Sequence, residues 1–309
     1  MRIVFMGSPE FALPSLRALI AAGHEIVGVY TQPDRPAGRG RAMVPPPVKA
    51  LALEHGLRVF QPKRISRPEH VEALRALGPD VGVIAAYGQI LKQPVLDVPP
   101  LGILNVHASL LPRWRGAAPI TAAILAGDAE SGATIMKVEL ALDAGPMLAA
   151  TRVPIAADDT TGTLTSRIAE AGAALLVDVL PRWAAGNIDA RPQDDALATY
   201  APQIEKSDGL IHWERDSAAQ IERQVRAYQP WPVAYTLLDG QPLRVLEASV
   251  IGAVGGAPGT IAVDSGALVI AAAEGALVIE RLQPPGGKPM RARDYLNGHR
   301  EIIGKRLTA

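Results

Sequence analysis

The chain of 309 residues contains no cysteine, and this absence excludes several kinds of chemistry at once. Disulfide bridges, thiolate nucleophiles and cysteine-ligated zinc sites all require that residue. A chain without cysteine also suits a reducing compartment, so we expect a cytoplasmic protein.

The sequence also lacks net charge, because 31 Lys and Arg residues balance 31 Asp and Glu residues. A general electrostatic attraction to nucleic acid is therefore not indicated, although a local basic patch is compatible with neutrality. No apolar run is long enough to span a membrane, and Gly7, Ser8 and Pro9 interrupt the N-terminal apolar run before it resembles a signal peptide. We expect a globular protein without a membrane partner.

Strand and helix patterns alternate through about residue 150. The strand patterns fall at 2–6, 24–32, 58–62, 79–88, 101–109 and 132–140. Helical spacing of apolar residues fills the intervals, for example at 12–23 and 68–78. This alternation predicts an α/β domain with a doubly wound, mostly parallel sheet of the Rossmann-like kind.

The second half of the chain has a different pattern. A long helical stretch at 161–186 is followed by residues with little periodicity. Beyond one further helical segment, short strand patterns are cut at intervals by Gly, Pro and Asp, which is typical of a small OB-like β-barrel. We therefore predict a first domain at 1–187, a linker at 188–206 and a smaller barrel domain at 207–309.

Asn105 and His107 form a polar pair at the end of an apolar strand pattern, and Asp143 follows another strand. Residues two apart in a strand share a face, and the carboxyl ends of parallel strands border the ligand crevice. A carboxamide and an imidazole can donate to a developing oxyanion, while a carboxylate can collect a proton. These residue types suit attack of an amine on an acyl carbon. A structural histidine and a turn-forming aspartate are the alternative interpretations.

The residues around this pair carry a resemblance. NVHASLLPRWRGAAPI, at 105–120, closely resembles the signature of the folate-dependent formyltransferases. Other segments that resemble the family follow in the family's order: MRIVFMGSPEFALPSL, TQPDRPAGRGRAMVPPPVK, VIAAYGQIL, GDAESGATIM, LDAGPML and QPWPVAY. The likeness extends over essentially the whole chain.

The resemblance implies a set of site residues and a formyl donor. The family's catalytic residues fall on Asn105, His107 and Asp143, and its folate-binding stretch falls on Ser109, Leu110, Leu111 and Pro112. The implied co-substrate is 10-formyltetrahydrofolate, and no metal is expected. Ala108, in place of glycine, and Pro146, in an altered AGPM run, depart from the usual pattern. We expect neither departure to remove activity.

The longer motif SLLPRWRGAAPI is similar to the branch of the family that formylates the methionine α-amine on initiator tRNA, a step in translation initiation. In that branch the loop at 33–49 engages the tRNA, which implies RNA contacts for Arg35, Arg39 and Arg41. With Lys49 these residues give four positive charges against Asp34 alone. The implied roles of the two domains are catalysis and tRNA binding. A solvated loop is the alternative interpretation.

The C-terminal tail offers a second basic stretch. Seven cations oppose Asp294 and Glu301: Arg281, Lys288, Arg291, Arg293, Arg300, Lys305 and Arg306. They indicate either a platform for RNA backbone or a solubilising surface.

Other functions stay open on the residues alone. The acceptor could be a different amine, such as a ribonucleotide or an amino sugar nucleotide. The same residues could serve a hydrolase, or the chain could bind RNA without catalysis. A nicotinamide enzyme is disfavoured, because the turn after the first strand lacks the G-x-G-x-x-G glycines. We expect a monomer.

Overall fold

The structure is a computed structural model and describes residues 1–37 and 42–309. Arg39 and Arg41, two of the predicted RNA contacts, lie outside the described residues. The chain divides into two compact units. Unit 1 comprises Met1–Pro119, Glu130–Pro154 and Thr165–Ala201, and unit 2 comprises Ile120–Ala129, Ile155–Leu164 and Pro202–Ala309.

The elements follow in chain order. The strands are β1 (Arg2–Gly7), β2 (Glu25–Tyr30), β3 (Arg35–Ala37), β4 (Ala42–Val44), β5 (Val59–Phe60), β6 (Val81–Ala85), β7 (Ile103–His107), β8 (Arg115–Gly116), β9 (Glu130–Lys137), β10 (Met147–Pro154), β11 (Tyr200–Ala201), β12 (Tyr235–Leu238), β13 (Gln241–Ile251), β14 (Ile261–Asp264), β15 (Ala267–Ala271), β16 (Ala276–Gln283) and β17 (Met290–Arg291). The helices are α1 (Leu13–Ala21), α2 (Pro47–Glu54), α3 (Pro68–Ala76), α4 (Gln93–Leu96), α5 (Pro119–Ala126), α6 (Thr161–Ala184), α7 (Ala218–Ala227) and α8 (Ala292–Gly298). Short 3-10 turns occupy Glu10–Ala12, Asp195–Leu197, Lys206–Gly209 and Arg300–Ile302.

Unit 1 is built on one sheet in the order β10-β9-β7-β6-β1-β2-β5. The strands from β7 to β5 are parallel, whereas β9 is antiparallel to both β7 and β10. The predicted mostly parallel α/β sheet is confirmed. The chain continues from β1 to β2 on one side and later places β6 on the other, so the strand order reverses at β1. In such sheets the crevice for ligands lies beyond the carboxyl ends of the strands at this reversal.

The central strand β1 shows why the sequence pattern is a continuous apolar run. Val4 and Met6 lie in a buried cluster on one face, while Ile3 and Phe5 point to the other face and are equally buried. A strand covered on both faces needs apolar residues throughout rather than at alternate positions.

Unit 2 contains an antiparallel sheet in the order β12-β13-β16-β15-β14, with β17 beside β16. The end of the chain bonds to both edge strands. Ile261 of β14 donates its amide to the Lys305 carbonyl at 2.9 Å, and Thr308 donates its amide to the Leu237 carbonyl of β12 at 3.0 Å. The sheet therefore curls until its edges share the C-terminal segment. The predicted small, barrel-like second domain is confirmed.

Some elements go beyond the sequence prediction. Strand β10 extends the sheet of unit 1, and β3 and β4 pair as a short hairpin. Within the predicted linker, β11 pairs with β8. The domain boundaries proposed from the sequence stay predictions. Among the described residues, no helix is both long enough and apolar enough to cross a bilayer.

Candidate active site

Strand β7 brings Asn105 and His107 to the carboxyl edge of the sheet. Asn105 pairs with Ile84 of β6, and His107 pairs with Thr134 of β9. His107 is 5% exposed, whereas Asn105 is half-buried. The part of the chain that the structure describes shows no hydrogen bond to the Asn105 carboxamide. The amide is therefore available to a ligand.

The structure brings Asp143 to His107. The Nδ1 atom of His107 lies 3.8 Å from Oδ1 of Asp143, and the aspartate side chain is 15% exposed. On the opposite side of the ring, Nε2 lies 3.0 Å from the Trp114 carbonyl oxygen. Each ring nitrogen thus faces an oxygen atom, the carboxylate of Asp143 on one side and the Trp114 carbonyl on the other. Asn105 lies two positions before His107 on β7, and we refer to Asn105, His107 and Asp143 together as the cluster.

The turn that carries Asp143 has an unusual backbone. Asp143 adopts a φ of 49°, in the left-handed region that few residues other than glycine occupy. Its Oδ2 atom accepts a hydrogen bond from the Gly116 amide at 2.9 Å, and its carbonyl accepts one from Gln193 Nε2 at 2.8 Å. The same nitrogen also donates to the Gly145 carbonyl at 2.8 Å. The Gly116 amide thereby holds the carboxylate, and Gln193 holds the backbone of the turn.

Gln193 belongs to a segment that we call the strap, residues 191–201. The strap is bonded at its start to β10, where Met147 and Arg191 exchange backbone hydrogen bonds of 2.8 and 2.9 Å. At its end, the Ala117 amide donates to the Ala201 carbonyl at 2.9 Å, beside the β8–β11 pairing. The strap is therefore part of unit 1 at the site.

A buried arginine lies beneath the strap. The side chain of Arg115 is 3% exposed and donates to Gln193 Oε1 at 2.9 Å and to Asp195 Oδ1 at 2.8 Å. Burial opposes its charge, but hydrogen bonds and attraction from Asp195 and Tyr200 together outweigh that effect and raise the pKa of Arg115. Arg115 keeps its charge and fixes the orientation of the Gln193 amide.

The predicted folate-binding stretch forms a tight turn after β7. The buried Ser109 hydroxyl donates to the Arg113 carbonyl at 2.6 Å, and the Leu111 amide donates to Thr134 Oγ1 at 3.2 Å. Leu111 is 7% exposed, whereas Leu110 and Pro112 are half-buried. The Ser109 and Leu111 side chains are thus committed to the protein, so the stretch would meet a ligand mainly through its backbone, Leu110 and Pro112.

The base of the predicted RNA loop is ordered by a polar cluster. Lys49 donates to Asp34 at 2.7 Å, and Gln61 Nε2 donates to the same carboxylate at 2.7 Å. The Gln61 hydrogen bond, followed by the Lys49 contact, lowers the pKa of Asp34. Since Lys49 neutralises Asp34, the excess charge of the loop belongs to its arginines. Among these, Arg35 is described and is exposed.

The basic tail is less available than its charge count indicates. Arg281 pairs with Glu247, Lys305 with Asp239, and Arg306 with Glu214, at 2.8, 2.6 and 2.6 Å. The remaining cations of the tail are exposed: Lys288, Arg291, Arg293 and Arg300.

The cluster has the groups that formyl transfer to an amine requires. The half-buried Asn105 carboxamide can donate to the formyl oxygen, and Asp143 can accept a proton from the attacking amine. These donors and acceptors fit a formyl-tetrahydrofolate donor. The sequence pattern predicts Asn105, His107 and Asp143 but gives no signal for Gln193, because the strap has no periodicity and Gln193 belongs to no motif.

The fold and the cluster together define an enzyme that transfers a small acyl group. A family model described as formyl transferase matches residues 1–180, and one described as the C-terminal domain of formyl transferase matches residues 203–300. The chain belongs to the formyltransferase family.

Relatives share both parts of the chain. It is 54% identical over 308 residues to a methionyl-tRNA formyltransferase of Methylococcus capsulatus, covering 99% of each chain. It is 52% identical over 302 residues to one from Pseudomonas paraeruginosa, covering 97% of each.

Solved structures share the fold at low identity. HypX from Aquifex aeolicus, solved with tetrahydrofolic acid, has a TM-score of 0.63 at 19% identity and matches 98% of this chain. This chain spans only 48% of HypX. An N-formyltransferase from Helicobacter canadensis, solved with folinic acid and dTDP-3-aminofucose, has a TM-score of 0.65 at 15% identity, covering 90% of this chain and 97% of that one.

Proposed function

We propose that this chain transfers the formyl group of 10-formyltetrahydrofolate to the α-amino group of methionyl initiator tRNA, a step in translation initiation. The observation that carries the proposal is 54% identity over 99% of both chains to a methionyl-tRNA formyltransferase. That likeness includes the C-terminal part as well as the part that contains the cluster.

We assign the reaction to Asn105, His107 and Asp143. Attack of the amine forms a new N–C bond and releases the folate nitrogen, so one proton leaves the amine and one reaches the folate. Asp143 would collect the first, directly or through water. Asn105 would donate to the developing oxyanion. His107 would also donate to this oxyanion. To do so, its ring would exchange the contact with the Trp114 carbonyl, 3.0 Å away, for one with the substrate.

The binding roles are proposed on other grounds. The resemblance assigns folate to Ser109, Leu110, Leu111 and Pro112. It assigns the tRNA to Arg35, Arg39 and Arg41. The pairing of Asp34 with Lys49 supports this, because the sequence at 33–49 has no other acidic residue to offset the arginines. The domain at 207–309 would bind tRNA through the exposed cations of its tail. We further propose a cytoplasmic monomer.

The test is transfer of labelled formyl from 10-formyltetrahydrofolate to charged initiator methionyl-tRNA, with glycinamide ribonucleotide and free methionine as parallel acceptors. We expect transfer to the tRNA alone. Transfer only to a small amine would contradict the acceptor while retaining the catalytic cluster. Release of formate without transfer to any amine would indicate a hydrolase.

The loop is tested by the single variants Arg35→Ala, Arg39→Ala and Arg41→Ala. We expect each to raise the KM for tRNA more than the KM for folate. Equal effects on both KM values would show that the loop is not an RNA contact.

A further inference from the structure

We propose that Gln193 is a positioning residue for the reaction, acting through the backbone of the Asp143 turn. This inference rests on the proposed function, since it concerns how the same site is held. Gln193 lies outside the sequence motifs, and it reaches the site from the strap.

The amide of Gln193 has a single satisfactory orientation. Its Nε2 atom donates to the Asp143 and Gly145 carbonyls, both at 2.8 Å, and its Oε1 atom accepts from Arg115 at 2.9 Å. A flipped amide would oppose donor to donor and acceptor to acceptor. Because Arg115 is buried and also bonded to Asp195, it determines which end of the amide faces the turn.

The turn needs such support. Asp143 has a φ of 49°, a conformation that persists only where surrounding contacts hold it. Gly145 is also tightly placed, since an added Cβ atom would lie 1.9 Å from the Lys137 carbonyl oxygen. The two bonds from Gln193 fix the residues on either side of Ala144. They therefore set the direction in which the carboxylate leaves the backbone.

This support does not occupy the oxygens of the carboxylate. Oδ2 of Asp143 is bonded to the Gly116 amide, and Oδ1 faces His107 at 3.8 Å. The two hydrogen bonds from Gln193 to the backbone can thus orient the Asp143 carboxylate without competing for the lone pairs of its oxygens. The strap, which carries Gln193, is itself bonded at both ends, to Met147 at its start and to Ala117 at its end.

Two substitutions separate the parts of this arrangement. Gln193→Glu keeps an oxygen for Arg115 but turns a second oxygen toward two carbonyls. Gln193→Met keeps the length of the side chain and removes every hydrogen bond. The matched control is Gln224→Met in unit 2, because Gln224 Nε2 also donates to two carbonyls, those of Asp208 and Leu210, at 2.9 and 3.0 Å.

We expect both Gln193 variants to lower kcat between about tenfold and about a hundredfold, the effect of a misplaced reacting group. The KM values for folate and tRNA should stay within about twofold, since the turn contributes orientation rather than affinity. Gln224→Met should lower the Tm by about as much as Gln193→Met does, but it should leave kcat unchanged. Wild-type kcat in Gln193→Glu would overturn the inference. So would a kcat loss in Gln224→Met equal to that in Gln193→Met.

A readout besides activity completes the test. The amide proton of Gly116 reports on Asp143, whose Oδ2 it contacts at 2.9 Å. We expect its NMR resonance to move upfield in Gln193→Glu, a variant that retains the Arg115 contact. An unmoved resonance would overturn the inference. If the wild-type enzyme transfers no formyl to tRNA, the proposed function fails, whereas this resonance still decides whether Gln193 positions Asp143.

Discussion

At the scale of single residues, Asp143 combines a strained backbone with the proton-accepting role that we propose for it. We expect Asp143→Asn to lower kcat by about a hundredfold to ten-thousandfold, the range for loss of a proton-transfer group. The fold should survive, because the asparagine oxygen can still accept from the Gly116 amide. Steady-state kinetics and thermal unfolding provide the two measurements.

The control for that substitution is Asp178→Asn, since Asp178 is exposed and pairs with Arg182 within α6 at 3.0 Å. It should leave kcat unchanged. Near-normal turnover in Asp143→Asn would contradict the proposed role in proton transfer.

Tyr30 offers a stability prediction with a pH window. Its hydroxyl is buried and has no hydrogen-bond partner among the described residues, and burial raises the pKa of Tyr30 to about 12. The unfolded chain loses this proton near pH 10. The contribution of Tyr30 to the free energy of unfolding is therefore fully present below pH 10, and it declines until the pH reaches about 12. Tyr30→Phe should reduce that decline and raise stability near neutral pH by about 1 kcal/mol.

Denaturant unfolding at several pH values measures this effect. Thr236→Val is the contrasting variant, because the buried Thr236 hydroxyl accepts from Trp213 and donates to the Thr308 carbonyl. It should lose stability where Tyr30→Phe gains it. A loss in Tyr30→Phe would show that its hydroxyl has a partner such as a water.

The residues on strand β7 could be predicted, whereas Gln193, which bonds to the turn of Asp143, could not. Asn105 and His107 follow from strand periodicity and the position of β7. Gln193 is separated from Asp143 by 50 positions, and its role depends on a tertiary hydrogen bond. Local patterns carry no information about such a contact.

At the scale of elements, the short β8–β11 pairing positions Gly116, whose amide donates to the Asp143 carboxylate. Gly116 has a φ of 111°, and an added Cβ atom would lie 2.6 Å from the Ala201 carbonyl oxygen. Gly116→Ala should therefore separate the strands, reduce stability by roughly 3 kcal/mol and lower kcat. Denaturant unfolding and kinetics measure both effects.

Gly186→Ala is the control for Gly116→Ala, because it introduces the same kind of backbone strain without a steric clash. Gly186 also has a positive φ, 69°, but nothing lies within 4 Å of an added Cβ atom. It should lose about 1 kcal/mol and keep wild-type kcat. Equal losses in both variants would show that the contact with Ala201 is unimportant.

The elements themselves were predictable where their pattern is local. The alternation of buried strands and amphipathic helices through β9 follows from periodicity. The hairpin of β3 and β4, the pairing of β11 with β8 and helix α8 are short elements stabilised by their neighbours. A short segment has too few residues for a period to be recognised, so no pattern distinguishes these elements from loops.

At the scale of the whole molecule, the two-part architecture could be predicted from the change of pattern after the helical stretch at 161–186. Strand–helix alternation predicts the parallel sheet, and the short runs broken by Gly and Pro predict the curled antiparallel sheet. The bonding of the C-terminal segment to both β12 and β14 depends on residues far apart in the chain, at Leu237 and Thr308. No periodic pattern encodes that closure.

Neutrality also gives a prediction for RNA binding. With 31 cations balanced by 31 anions, any salt dependence of tRNA affinity must arise from local clusters of uncompensated charge. Replacing Arg35, Arg39 and Arg41 together by Ala should reduce the slope of log Kd against log salt by about one for each phosphate that an arginine binds. Arg281→Gln is the control, because its partner Glu247, 2.8 Å away, already compensates its charge. Binding titrations at several salt concentrations measure the slope. If the slope is unchanged in the triple variant and reduced in Arg281→Gln, the electrostatic contact with tRNA is made by the C-terminal sheet and not by the loop.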